Sequence, residues 1–193
     1  MKIRFMTALL CLAYFLTAPL GHANEALATK SALDLAGKAV DPLDNITNRA
    51  VVLIFVASEC PISNGYAPEL KRLNEKFAPK EVKFWLVYPN ADDTAGVIRR
   101  HAREYQLQLE ALRDPHHALV KRSKATVTPE AAVFIARGRM VYHGRLDDRH
   151  IALGKQRPEA TQHDLEEVLQ AIVDGKKPPT SFRKPVGCYI QEH

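Results

Sequence analysis

Cys60 is the residue of this 193-residue chain with the clearest chemical setting. It follows the apolar, β-branched run Val51–Val56 and the short stretch Ala57-Ser58-Glu59, and it precedes Pro61 and a polar-started amphipathic segment. A buried strand ending here, followed by a helix opening at Pro61, sets the thiol on the first helical turn. Proline is well tolerated at that first position, because its missing N–H has no intrahelical partner. The unpaired backbone N–H groups and the positive end of the helix dipole then favour thiolate over thiol. Glu59 works against this, since an adjacent carboxylate raises the cost of a second negative charge unless its side chain points away. Ser63, one turn on, can donate a hydrogen bond to the sulfur but cannot resolve a mixed disulfide as a second cysteine does.

The chain has three cysteines, Cys11, Cys60 and Cys188. Met1–Ala23 reads as a secretory signal: Lys2 and Arg4 form the positive start, Phe5–Leu20 the apolar stretch, and Gly21-His22-Ala23 the cleavage site. Leu9 and Leu10 ahead of Cys11 do not match a lipoprotein signal. Cleavage leaves Cys60 and Cys188 in an oxidising periplasmic or extracellular compartment, with no membrane span remaining, and two cysteines allow one pairing. Cys188 lies in Val186-Gly187-Cys188-Tyr189-Ile190, behind a proline-rich tail. Three outcomes stand open for it. It is a resolving thiol for Cys60, or half of a permanent structural bridge, or it never meets Cys60, since a bridge needs Cα atoms within about 7 Å. His116, His117, His143, His150 and His163 show no metal-ligand spacing, and Cys-x-x-Cys is absent, so neither metal nor cofactor is expected. His143 and the Asp147–His150 run read as solvated loop and turn residues.

The elements that must position these groups follow from patterning. Ser31–Asn45, with Gly37 and Pro42, reads as a hairpin ahead of the first core strand. The helix from Pro61 runs to about Phe77 with Ile62, Tyr66, Leu70, Leu73 and Phe77 on one face, and Pro68 should kink or restart it. Val82–Tyr88 is a second strand, with Phe84, Trp85 and Tyr88 as core, and Asp92–Tyr105 a helix capped by Asp92 or Asp93. Leu107–Leu112 is a short strand and His116–Arg122 a helix. Ala131–Ala136 and Met140–His143 form a hairpin about Arg137-Gly138-Arg139. Gly144–Pro158 is a long loop, Thr161–Asp174 a helix capped by Thr161 and ended by Gly175, and Pro178–Pro185 extended. The order gives an α/β fold with a terminal antiparallel hairpin. The reading divides the chain into a leader at 1–23, one domain at 31–175 and a tail at 176–193 carrying Cys188.

Composition agrees with a globular domain: 46% of residues are hydrophobic and 25% charged. The 27 basic and 22 acidic residues give +5, or +3 (25 against 22) once Lys2 and Arg4 are removed. The basic residues are scattered, which argues against a nucleic-acid partner.

Phe55-Val56-Ala57-Ser58-Glu59-Cys60-Pro61-Ile62-Ser63 resembles the strand–turn–helix of the thioredoxin superfamily, in which Cys-x-x-Cys opens the helix. Glu59 stands where that family often has Trp, Cys60 at the first cysteine and Ser63 at the second. The Cys-Pro-Ile-Ser-Asn-x-Tyr-x-Pro-Glu pattern at Cys60–Glu69 is similar to secreted bacterial redoxin-domain proteins of the thiol-specific-antioxidant and thiol–disulfide-oxidoreductase type, over roughly Leu33 to Ile190. The resemblance implies a three-layer thioredoxin-like fold, a mixed sheet flanked by helices with an N-terminal hairpin extension. It also makes Thr126–Glu130 the cis-proline loop, with Thr128 and Pro129 beside the cysteine, where backbone groups pair with an extended substrate.

An exported thiol oxidoreductase follows, with Cys60 as nucleophile, Ser63 and Cys188 assisting, and Glu59, Thr128 and Pro129 at the substrate groove. Its partners are protein or small-molecule thiols, disulfides or peroxides. Peroxiredoxin-type sites carry a proline and a hydroxyl residue before the cysteine where this chain has Leu53 and Ala57, which disfavours peroxide. Two other readings compete: a redox-inactive binding protein stapled by a Cys60–Cys188 disulfide, and a copper metallochaperone, which Ser63 and Asn64 weaken by standing where such proteins have a second cysteine.

Overall fold

The computed structural model describes residues 31–191; the expected leader at 1–23 lies outside them. The central strand β3 (Ala50–Phe55) is buried along its whole length. Successive strand residues point to opposite faces, so this continuous apolar run supplies two cores at once. Val52 and Ile54 join one core with Leu70, Leu73, Phe77, Ile98, Leu165 and Val168. Val51, Leu53 and Phe55 join the other with Leu43, Leu119, Ala132 and Phe134. Layers on both faces of a sheet make the α/β thioredoxin-like fold that the resemblance implied.

In chain order, β1 (Ala32–Leu33) and β2 (Ala39–Val40) form the expected N-terminal hairpin. After β3 come α1 (Pro61–Gly65), α2 (Ala67–Phe77), β4 (Val82–Tyr88), α3 (Ala95–Glu104), β5 (Glu110–Arg113) and α4 (Ala118–Ser123). Then follow β6 (Val127–Thr128), β7 (Glu130–Ile135), β8 (Arg139–Gly144), β9 (His150–Ala152), β10 (Lys155–Gln156) and α5 (Asp164–Val173). Two short strands, β11 (Phe182–Arg183) and β12 (Cys188–Tyr189), close the chain. The main sheet runs β11-β8-β7-β3-β4-β5-β1-β2. Strands β3, β4 and β5 are mutually parallel and β7 is antiparallel to both β3 and β8, so the sheet is mixed.

Several boundaries differ from the sequence reading, each for a local reason. The helix after Cys60 is interrupted at Tyr66, so that Pro68 sits in the first turn of α2 rather than inside a helix. Helix α3 is capped by Thr94, whose Oγ1 accepts from Val97 N, and not by Asp92 or Asp93. Thr161 does not cap α5, because its hydroxyl and amide are both given to Asp148. The 144–158 stretch is not wholly loop but contains the β9–β10 hairpin. Asp147 and Asp148 are buried rather than solvated, Asp147 accepting from Tyr66 Oη at 2.5 Å. Among the described residues no helix is long and apolar enough to cross a membrane.

The tail is woven into the domain. Strand β11 lies parallel to β8, and this approach requires Gly144, at φ +137°. A Cβ there would meet Arg183 backbone atoms at 2.9 Å and less. Strand β12 pairs with β6.

Candidate active site

The end of β3 delivers the chain through Ala57–Glu59 to Cys60, which is the N-cap of α1 and has extended backbone (φ −87°, ψ 109°). Pro61 opens the helix, and the Ser63 amide points back to Cys60 Sγ at 3.5 Å. This is the capping geometry in which a side chain accepts from the third helical residue, here with sulfur as the acceptor. Glu59 is exposed on the turn just before it.

The loop carrying Cys60 is held from beneath. Ser58 donates its amide (3.3 Å) and hydroxyl to Asp93 Oδ1. Asn64 donates to Ser58 O at 3.0 Å and meets Tyr105 Oη, while its carbonyl oxygen contacts His101 Nε2 at 2.8 Å. His101 in turn meets Tyr88 Oη at 2.9 Å through Nδ1. Burial raises the Asp93 carboxyl pKa against the opposing hydrogen bonds from Ser58. Burial likewise pushes the His101 imidazole down, towards its neutral form. None of these groups was picked out from the sequence as part of the site. A polar residue in an otherwise apolar stretch (Asn64 near Tyr66 and Ala67, Asp93 just after a core strand) was the available signal.

The Thr128–Pro129 peptide bond is cis. Thr128 O accepts from Cys60 Sγ at 3.2 Å. The loop before the proline is fixed by Glu130, buried, whose Oε2 accepts from Thr126 N at 2.8 Å and from Val127 N at 3.4 Å. Strand β12 then lies antiparallel on β6, with Cys188 opposite Thr128 and Tyr189 opposite Val127. Ile190 N donates to Thr126 O at 3.1 Å. The pairing sets Cys188 Sγ 2.7 Å from Cys60 Sγ, with both cysteines as free thiols. Thus Cys60, Ser63, Thr128, Pro129 and Cys188 meet in one place, with Glu59 at its rim.

The two sulfurs are electrostatically unequal. Burial raises the Cys60 pKa, but hydrogen bonds from Cys188 and Ser63 outweigh it, and the thiol ends below its ordinary value. The Ser63 hydroxyl is 3% exposed and has no hydrogen bond of full geometry, leaving a donor in reserve next to the sulfur. Cys188 is pushed up to about 11 by burial, then by its bond to Cys60 and the charge there. One sulfur is therefore the preferred thiolate and the other its proton-bearing neighbour. That division suits attack on a sulfur electrophile by Cys60, followed by internal resolution.

His143 contacts Glu130 at 3.5 Å, and His150 packs on Tyr66. Glu69, His163 and Glu166 bring possible ligand atoms within 4.8 Å of one another. Both carboxylates there are already engaged by Arg72, and Glu166 also by Lys76.

A family model described as Redoxin matches residues 22–165. No curated protein matches the chain. Among solved structures, an uncharacterised conserved protein from Geobacillus kaustophilus is similar, with a TM-score of 0.72 at 24% identity, over 84% of this chain and 88% of that one. A hypothetical protein from Sinorhizobium meliloti 1021 also gives 0.72, at 22% identity, over 84% and 90%. A secreted Mycobacterium tuberculosis disulfide oxidoreductase, described as homologous to E. coli DsbE, gives 0.51 at 19% identity, over 78% and 98%. At these identities the structures speak for the fold. Since the family model covers most of its length, the chain belongs to the Redoxin family and has a thioredoxin-like fold.

Proposed function

We propose that this protein is an exported thiol–disulfide oxidoreductase in which Cys60 attacks and Cys188 resolves. The observation that carries the reading is the 2.7 Å approach of the two sulfurs at a helix N-terminus, made by a C-terminal strand seated on the cis-proline loop. The leader at 1–23 supports export.

The Cys60 thiolate attacks one sulfur of a substrate disulfide, forming a mixed disulfide and releasing the other sulfur as a thiolate that takes a proton from water. The Cys188 thiol gives up its proton and attacks Cys60 Sγ. The Cys60–Cys188 bond forms, the bond to the substrate breaks, and the second substrate thiol leaves. Two electrons pass from the protein dithiol to the substrate. The Ser63 amide and hydroxyl stabilise the Cys60 thiolate before attack and again whenever Cys60 is the leaving group. Thr128 and Pro129 shape the groove, and Glu59 lines its rim. Disulfide exchange is favoured over peroxide reduction because Ala57, buried and apolar, offers no hydroxyl where a peroxide needs one, and Leu53 stands where such sites have proline.

Single-turnover reaction of the reduced protein with a small aromatic disulfide tests this. Cys60→Ser is expected to lose at least about a thousandfold in rate. Cys188→Ser is expected to keep the first step and accumulate the mixed disulfide, visible by mass. A protein that reacts equally well without Cys60 contradicts the reading.

A further inference from the structure

The groove beside Cys60 already holds a peptide, the chain's own tail, and its fit shows what else can enter. A sulfur that Cys60 attacks must come to where Cys188 Sγ now lies. Its backbone then falls on Thr128, as that of Cys188 does. At the preceding position the groove admits no side chain. A Cβ on Gly187 would stand 2.7 Å from the Thr128 carbonyl carbon, closer still to its oxygen, and 3.2 Å from Pro129 N. Those atoms are backbone, held by the Glu130 contacts to Thr126 and Val127, so they cannot yield as a flexible side chain does. The following position is open, because Tyr189 is 80% exposed. Upstream, Lys184–Gly187 line one wall of a cleft of about 420 Å³, whose far wall includes His150, Ile151 and Leu153. An incoming segment places the residues ahead of its glycine along that cleft, where 184–186 now lie.

We infer that the Cys60 groove selects extended polypeptide segments in which glycine immediately precedes the reacting cysteine, with residues 186–190 as the resident competitor. The inference rests on the thiol chemistry proposed above and names its substrate class. Substrate and tail pair with the same backbone groups of Thr128, so the tail lifts off as the segment docks. Its return brings Cys188 to the mixed disulfide and displaces the substrate from both the groove and the sulfur in one movement. Bond changes are those already written: Cys60 joins the substrate cysteine, then Cys188, and the protein dithiol supplies both electrons.

The test uses the reduced mature protein, without residues 1–23 and so without Cys11, and two peptides, Val-Gly-Cys-Tyr-Ile and Val-Ala-Cys-Tyr-Ile, each as a mixed disulfide with thionitrobenzoate, whose release is followed by absorbance. The glycine peptide is expected to react about tenfold or more faster than the alanine peptide, the scale on which a tight site rejects one carbon. The small disulfide dithiobis(nitrobenzoate) is expected to react in every case. In Gly187→Ala the tail loses its seat, so Cys188 alkylates faster and the glycine peptide gains in rate over wild type. Equal rates for the two peptides, in a protein that still reacts with the small disulfide, overturn the selectivity alone. Failure to react with the small disulfide overturns the thiol chemistry and the inference with it. Should Gly187→Ala lose its circular dichroism, the wild-type peptide comparison decides by itself.

Discussion

Cys60 stands at the end of a strand buried on both faces, 2% exposed, on a loop tied to Asp93, Asn64 and Thr128. Cys188, in contrast, rides a two-residue strand with an exposed tyrosine beside it and a glycine before it. Its hold on the domain is backbone pairing with β6, one further hydrogen bond, from Ile190 to Thr126, and the packing of half-buried Ile190 against the edge of the second core. Few buried apolar contacts and exposed backbone bonds mark the low-stability end of a fold. A fixed sulfur, the nucleophile of the proposed function, therefore faces a partner on a lightly held strap. Two equally anchored sulfurs make a staple; one anchored and one detachable sulfur make a cycle.

The contrast is open to direct attack by mutation. Ser58→Ala removes the hydroxyl donor to the buried Asp93 carboxylate, leaving only the amide, and is expected to cost about 1–2 kcal/mol of stability. Tyr189→Ala, on an 80% exposed side chain, is expected to change stability by less than about 0.5 kcal/mol. Urea denaturation of the two variants checks the pair; comparable losses from both erase the distinction between anchor and strap.

A smaller effect sharpens the electrostatic half of the comparison. Burial raises the Cys60 pKa, and the hydrogen bond from Cys188 is the largest of the effects that bring it down. Cys188→Ala removes that donor, so the pH midpoint of Cys60 alkylation is expected to rise. The sign for stability is that of an acid with a depressed pKa. The contribution is present above the unfolded thiol's pKa and lost as pH falls through the folded one. An unchanged or lowered midpoint in Cys188→Ala contradicts the assignment of roles.

The smallest expected effect lies away from the sulfurs and serves as a control. Arg72, against burial, and then Lys76 hold the Glu166 carboxyl down to about 2. Its contribution to stability is present above the ordinary carboxylate pKa and is lost as pH falls towards about 2. Arg72 is half-exposed, so screening keeps the contribution small. Glu166→Gln is expected to flatten the acid limb of the stability curve slightly while leaving Cys60 alkylation unchanged.

Much of the nucleophile's side was legible in the sequence, because each part of it carries a local signal. The run Val51–Val56 is β-branched and long enough to be a strand, Pro61 marks a helix start, and Pro68 marks an interruption that falls at Tyr66. Thr128-Pro129 was legible only through family resemblance, since nothing in Val-Thr-Pro by itself selects a cis bond. The strap was hardly legible. A two-residue strand shows no periodicity, and the pairing of Cys188 with Thr128 depends on residues 60 positions apart in sequence, roughly, a separation no local pattern spans. Gly187 looks like any turn glycine until Thr128 is seen against it. The support beneath Cys60 is hidden for a related reason. Acidic residues near a helix start are usual caps, so the sequence points to Asp92 or Asp93, but Thr94 takes that task and frees Asp93 for Ser58.

The central claim is that the two sulfurs form a working couple, and equilibration of the mature protein in glutathione buffers of graded ratio measures it most directly. Alkylation and mass spectrometry report the fraction bridged between Cys60 and Cys188. A reversible two-electron bridge with a potential above about −250 mV is expected, in the range of exchanging dithiols. A bridge that resists reduction below about −300 mV, or a protein in which the two cysteines never link, contradicts it.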